Sequence, residues 1–259
     1  LLVLKINHLI FISLLGCVLT FWSGSVFGQT SEATIFDEAS VVYKKSVYGG
    51  IILHTSGWGG SLTFGKAQTA FKSRILQFDI VNMKHPKEVR TFNQYYDDSR
   101  SYIFGKINSF IVVRPTIGQR VTLFDKIRKS GVAVGYSWRV GPSLGFTKPV
   151  YLEIGVPAQP PYDAIVVERY DPTEHTVDEI FGRAGFFKGF DEITINPGIH
   201  GGFGFNFEFD QERSGLKAIE VGATADYYPL GEAEIMAFAQ NYNLLFNFYA
   251  SFQFGKKSN

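Results

Sequence analysis

Beyond residue 28 the chain alternates bulky apolar positions with small or polar ones at a period of two, the recurrent mark of strands that present two unlike faces. The last such stretch is the clearest. Leu244, Phe246, Phe248, Ala250, Phe252 and Phe254 share one face, and Asn247, Tyr249, Ser251 and Gln253 share the other. A second sets Phe203, Phe205, Phe207 and Phe209 against Gly202, Gly204, Asn206 and Glu208. A third sets Ile219, Val221, Ala223, Ala225 and Tyr227 against Glu220, Gly222, Thr224 and Asp226; a fourth sets Val132, Val134, Tyr136, Trp138 and Val140 against Ala133, Gly135, Ser137 and Arg139. Read along the whole chain, the pattern predicts eight strands, at about 46–56, 58–66, 70–82, 101–118, 131–155, 193–209, 216–228 and 243–254. Pro142 and Pro149 lie inside the fifth and cannot donate to a ladder. A hairpin at Gly141-Pro142, raising the count to ten strands, is the alternative.

The two faces identify the surroundings. A soluble β-sandwich turns its apolar face to the core and a highly charged face to water. Here the bulky face is a near-uniform run of Phe, Val and Ile, and the other mixes Gly, Ala and Ser with single charges. Small and polar side chains fit the interior of a narrow barrel, and a continuous aromatic–aliphatic face suits lipid. No apolar run after residue 28 reaches the roughly 20 residues that a membrane helix needs. The expected fold is therefore all-β, an antiparallel transmembrane β-barrel over 46–254 with a segment 255–259 as a tail. Connection lengths agree, because outer-membrane barrels have short turns on the periplasmic side and longer loops outside. Connections 83–100, 156–192 and 229–242 are the longest and fall on one side. Those at 67–69 and 210–215 are short, the one at 119–130 is intermediate, and a tight turn at Gly57 is the external exception.

The N-terminus reads differently. Lys5 and His8 precede an apolar stretch from Leu9 to Trp22, and small and polar residues follow to Gln29. This predicts a cleavable signal peptide over 1–28 and a periplasmic segment over 29–45. Cys17, the single cysteine, lies in Leu14-Leu15-Gly16-Cys17, which resembles a lipid-attachment box. The apolar run continues past it through Val18, Leu19, Phe21 and Trp22, which favours removal of Cys17 with the leader. Cleavage would take away Lys5 and leave 24 basic and 24 acidic residues. That balance offers no electrostatic case for nucleic acid.

Charges on the inward face are the most interpretable chemistry. Strand parity points Asp79, Arg114, Arg139, Glu153, Glu208, Glu220 and Asp226 into the lumen. Unpaired charges there would be costly, so both signs should meet in an internal ionic plug, with a proton or ion path as the alternative. His54 and Ser56 share a face at the external rim, the residue pair a lipid A or phospholipid hydrolase would use, but no third orienting group is visible. His85, His175 and His200 lack metal-ligand spacing, and no cofactor motif occurs.

The connection 156–192 starts Pro-rich and suggests a short helix over His175–Arg183 capped by Asp171 or Thr173. Its acids outnumber its bases, so it could bridge divalent cations as well as dock a partner. Tyr95, Tyr96, Tyr170, Phe186, Phe187 and Phe190 are aromatics on external loops, where exposure is unfavourable unless a partner covers them.

From residue 43 onward the chain resembles a group of uncharacterised outer-membrane β-barrel proteins of Bacteroidota. The resemblance is carried by Lys84-His85-Pro86-Lys87-Glu88, Ser101-Tyr102-Ile103-Phe104-Gly105-Lys106 and Arg114-Pro115. Pro149-Val150-Tyr151-Leu152-Glu153-Ile154 and Phe252-Gln253-Phe254-Gly255-Lys256-Lys257 extend it. It implies fold and compartment, an integral outer-membrane protein in contact with lipid and lipopolysaccharide, and brings no catalytic residues. The expected function is a non-enzymatic structural or docking subunit that contacts other outer-membrane proteins. A small passive channel and a lipid-modifying enzyme are the alternatives.

Overall fold

The computed structural model describes residues 44–97, 99–126, 131–210 and 215–258. The leader expected over 1–28, Cys17 within it and residues 29–43 of the expected periplasmic segment lie outside the described residues. No helix occurs among the described residues. The strands, in chain order, are β1 (Lys45–His54), β2 (Gly57–Ala67), β3 (Lys72–Met83), β4 (Arg90–Thr91), β5 (Tyr102–Ile103), β6 (Asn108–Phe124) and β7 (Ala133–Pro149). Then follow β8 (Tyr151–Val156), β9 (Ala164–Arg169), β10 (Ile180–Arg183), β11 (Thr194–Glu208), β12 (Gly215–Tyr227) and β13 (Leu244–Ser258).

Eight strands close into a barrel in the order β1-β13-β12-β11-β7-β6-β3-β2. Every pairing is antiparallel, and β1 seals against β13 from Lys45↔Ser258 to His54↔Tyr249. Closure removes the unpaired edge that an open sheet of this composition would offer to other chains. The alternation seen in the sequence is the alternation of the wall. On β3, Leu76, Phe78 and Ile80 are exposed outside, and Ile75, Gln77, Asp79, Val81 and Met83 are buried inside.

Eight strands is the expected number, but some boundaries move. The fourth strand, expected over 101–118, runs as β6 from Asn108 to Phe124, because Gly105 takes a left-handed φ of 79° and turns the chain after β5. The expected 131–155 strand is continuous through Pro142 and stops at Pro149. Pro142 is tolerated because the β6–β7 ladder pauses between Val113↔Leu144 and Ile117↔Val140, where the register sets Pro142 opposite Pro115. Two residues that cannot donate thus share one gap. Residues 255–258, expected as a tail, continue β13 and pair with β1 as far as Lys45↔Ser258.

The connections sort by side. Of the described residues between barrel strands, one rim carries 55–56, 84–97, 99–107, 150–193 and 228–243; the other carries 68–71, 125–126, 131–132 and 209–210. We call these the loop rim and the terminal rim. Two small sheets rise from the loop rim: the pair β4-β5, and a three-stranded sheet in the order β10-β8-β9. The helix expected within 175–183 is absent. Turns at Pro172–Glu174 and Val177–Glu179 lead in, and Ile180–Arg183 pairs as β10 with β8 instead. Asp171 still holds the turn, its Oδ1 accepting from the Thr173 backbone N–H (2.8 Å) and hydroxyl (2.6 Å). Those two bonds hold its carboxyl below the usual carboxylate range.

Candidate functional site

The lumen is filled in layers from the loop rim downwards. The first is apolar. Tyr228, Ala233, Ile235 and Met236 of the 228–243 connection pack with Ile52, Val81, Met83, Phe110 and Val112 of the wall. Asn241 shapes this stopper, with Oδ1 accepting from the backbone N–H groups of Ile235 (3.0 Å) and Met236 (3.2 Å) and Nδ2 donating to Met236 O (2.9 Å). Backbone bonds from Ile107 N to Ile235 O (3.0 Å) and Ala237 N to Gly105 O (2.8 Å) tie it to the neighbouring loop.

Beneath it lies a layer centred on Asp226. Arg114 donates to Asp226 in a bidentate pair, Nε to Oδ1 at 2.9 Å and Nη2 to Oδ2 at 2.7 Å. Ser143 Oγ donates to Oδ1 (2.9 Å), and His200 Nδ1 stands 2.9 Å from the same atom. Facing an ionised carboxylate, that nitrogen carries the proton. Asp79 stands directly across the β3–β6 ladder from Arg114 and accepts from Gln77 Nε2 at 2.8 Å.

The next layer is centred on Glu220. Its Oε1 accepts from Arg139 Nη1 (2.7 Å) and the Tyr249 hydroxyl (2.6 Å), and its Oε2 from Arg120 Nη2 (3.1 Å) and Gln253 Nε2 (3.3 Å). The guanidinium carbons of Arg120 and Arg139 lie 4.8 and 4.9 Å from the Tyr48 and Tyr249 ring centroids. Gly204 makes room for this, since a Cβ there would fall 2.3 Å from the Tyr249 hydroxyl. At the terminal rim Glu208 accepts from Lys126 (3.1 Å) and Lys257 (2.6 Å).

Of the inward charges expected from parity, Asp79, Arg114, Arg139, Glu220 and Asp226 are buried in the lumen, and Glu208 closes its lower rim. Glu153 is not lumenal. It lies on β8, outside the barrel, because β7 ends at Pro149. Arg120, Lys126, His200 and Lys257 belong to the network and were missed. The parity that placed Arg114 also places Arg120, once β6 is allowed to run past residue 118.

The six aromatics expected on external loops do not form one surface. Tyr170 is buried with Tyr102, Leu152, Ile154 and Ile180 in the core of the loop-side sheet, and its hydroxyl accepts from Gly105 N (3.2 Å). Tyr96 stacks on Tyr162 at 5.3 Å and meets Phe181 edge-on at 5.4 Å. Tyr95 is exposed, and Phe186, Phe187 and Phe190 form a separate exposed trio. An exposed surface that sequence reading missed is β9, where Ala164 to Arg169 are exposed on both faces and only one edge is paired. The run Ile165-Val166-Val167 between Pro161 and Pro172 was its available signal.

No hydrogen bond joins His54 to Ser56 among the described residues; the Ser56 carbonyl accepts from Lys84 N at 2.7 Å. His85 Nε2 stands 3.2 Å from Gln240 O, and His175 packs at 6.1 Å on Tyr170 with Nδ1 accepting from Asp171 N (3.0 Å). Both histidines hold loops together. Among the described residues no three His, Cys, Asp or Glu side chains converge to hold a metal ion.

No protein family model matches the sequence, and no curated protein matches it. Among solved structures the chain is similar to Ail, the attachment invasion locus protein of Yersinia pestis, in complex with the heparin analogue sucrose octasulfate. The identity is 10% and the TM-score 0.39, over 82% of this chain and 96% of that one. It is also similar to Neisserial surface protein A, with 9% identity and a TM-score of 0.36, over 82% of this chain and 95% of that one.

Proposed function

We propose that the chain is an integral outer-membrane β-barrel that acts without catalysis, as a subunit that docks other outer-membrane proteins through its loop-side sheet. Embedding in a membrane is supported by the outer wall, where Phe203, Phe205, Phe246, Phe248 and Phe252 stand exposed while the lumen takes the polar side chains. Docking rests on one observation above all, the open edge of β9. Its free backbone donors and acceptors, flanked by exposed Ile165, Val166 and Val167, form a template for strand addition by an extended segment of a partner. The filled lumen supports this reading over a passive channel.

The test is copurification from mild-detergent extracts of the outer membrane, without crosslinker. The expected result is a stoichiometric outer-membrane protein that is lost when Ile165→Lys and Val167→Lys are combined, with heat-modifiable migration of the barrel unchanged. Retention of the partner by that variant would refute docking at β9, and absence of any partner would refute docking altogether.

A further inference from the structure

Strand alternation carries β7 outward at Leu144 and Phe146, and its next outward position is Lys148. Phe146 is flanked in register by Ile111 on β6 and Ile195 on β11, so an apolar row of the outer wall runs directly below Lys148. Lys148 is nevertheless buried, because the 186–190 segment folds back over it. Its ammonium donates to the carbonyls of Phe186 (3.2 Å) and Lys188 (2.8 Å) and lies 5.6 and 5.3 Å from the Phe186 and Phe190 ring centroids. Gly189, with φ of 79°, lets the segment turn tightly there; a Cβ would meet Pro149 O at 3.0 Å.

The result is a fixed apolar knob on the outside of the loop rim. The rings of Phe186, Phe187 and Phe190 pack on one another at centroid distances of 5.4 to 5.8 Å, yet are 66%, 82% and 43% exposed. Lys148 is turned inward onto the segment's own carbonyls, so its charge is not offered on the aromatic face. Exposed Arg183, Lys188, Asp191 and Glu192 flank or interrupt the trio in sequence. Aromatic side chains at the edge of an apolar belt, bounded by charges, fit the boundary between acyl chains and headgroups.

We propose that Phe186, Phe187 and Phe190 are seated in lipid at the loop-side membrane boundary, a preformed aromatic anchor held over Lys148 and continuous with the outer wall. This assigns to lipid three aromatics that the sequence had placed on a protein-docking surface, and leaves β9 for the partner. It rests on the proposed membrane embedding, and the experiment separates the two.

With Cys17 replaced, single variants Phe187→Cys, Phe248→Cys and Glu174→Cys carry a nitroxide label in phosphatidylethanolamine–phosphatidylglycerol vesicles. Collision of each label is measured with oxygen, which enters lipid, and with a nickel chelate, which stays in water. The label at 248, in the outer wall, is expected to favour oxygen and the label at 174 nickel. The label at 187 is expected to gain oxygen collisions and lose nickel collisions relative to 174. A 187 label as open to nickel as 174 would overturn the anchor, and so would one shielded from both reagents, which would mean a protein covers it. A 248 label open to nickel would instead overturn the membrane embedding itself.

Discussion

Glu220 shows how a barrel this narrow accommodates charge. All its acceptor positions are taken by Arg120, Arg139, Tyr249 and Gln253, and no water path is needed to solvate it. Such a network need not add stability over an apolar core, but removing one member strands the others. Glu220→Gln leaves two buried guanidiniums without their counter-charge, so it is expected to destabilise the barrel by about 3–5 kcal/mol. Glu208→Gln, at the half-open terminal rim, should cost about 1 kcal/mol or less. Urea unfolding of detergent-refolded protein checks both, and equal midpoint shifts would mean that Glu220 is not sealed from solvent. At this scale the sequence was largely legible, because parity alone decides which side of a wall a residue faces. Asp79, Arg114, Arg139, Glu220 and Asp226 were placed by that rule. Glu153 escaped it because parity says nothing of where a strand leaves the wall, and Arg120 was lost with the end of its strand. Which charge meets which is set by strands far apart in sequence, such as β6 with β12 for Arg114 and Asp226, and no local pattern encodes that.

Among the elements, β11 tests the assignment of faces. Phe205 is exposed on its outer side, and Asn206 is buried inside it. An arginine at a mid-strand lipid-facing site costs on the order of 2–4 kcal/mol, so Phe205→Arg should block assembly or lower stability by that amount. Asn206→Ala should be milder, since it removes a polar group without creating a charge. Folding yield into vesicles, read by heat-modifiable migration, discriminates them; equal tolerance would mean inverted faces. The barrel strands were legible because each repeats one simple pattern for ten or more residues. The β8–β10 sheet was not. Its strands are 6, 6 and 4 residues long, and β9 shows no alternation because both of its faces are exposed. His175–Arg183 looked helical because a capping Asp171 is a local signal, whereas the pairing of Ile180 with Ile154 on β8 is a distant one.

At the scale of the barrel, buried side chains occupy the lumen at more than one level. The stopper of Ala233, Ile235 and Met236 packs into the loop rim, the Asp226 and Glu220 layers lie in the middle, and Glu208 with Lys126 and Lys257 stands at the terminal rim. An eight-stranded barrel is just wide enough for its own side chains, so each ionic layer can close the section without help from a loop. The stopper was invisible in the sequence because its apolar residues are few and gain their role only from the rim they enter. This redundancy yields a prediction about transport. The intact protein should give no steady conductance in planar bilayers. Deletion of 231–240 should also give none, because the layers at Asp226 and Glu220 remain, and connections outside the strands contribute little to barrel closure. The deletion variant should keep its heat-modifiable migration, which shows that its silence is that of a folded barrel. Steady conductance in the intact protein would mean that the lumen is open to water along its length. Conductance that appears only after the deletion would place the seal in the stopper and reduce the ionic layers to a wall lining.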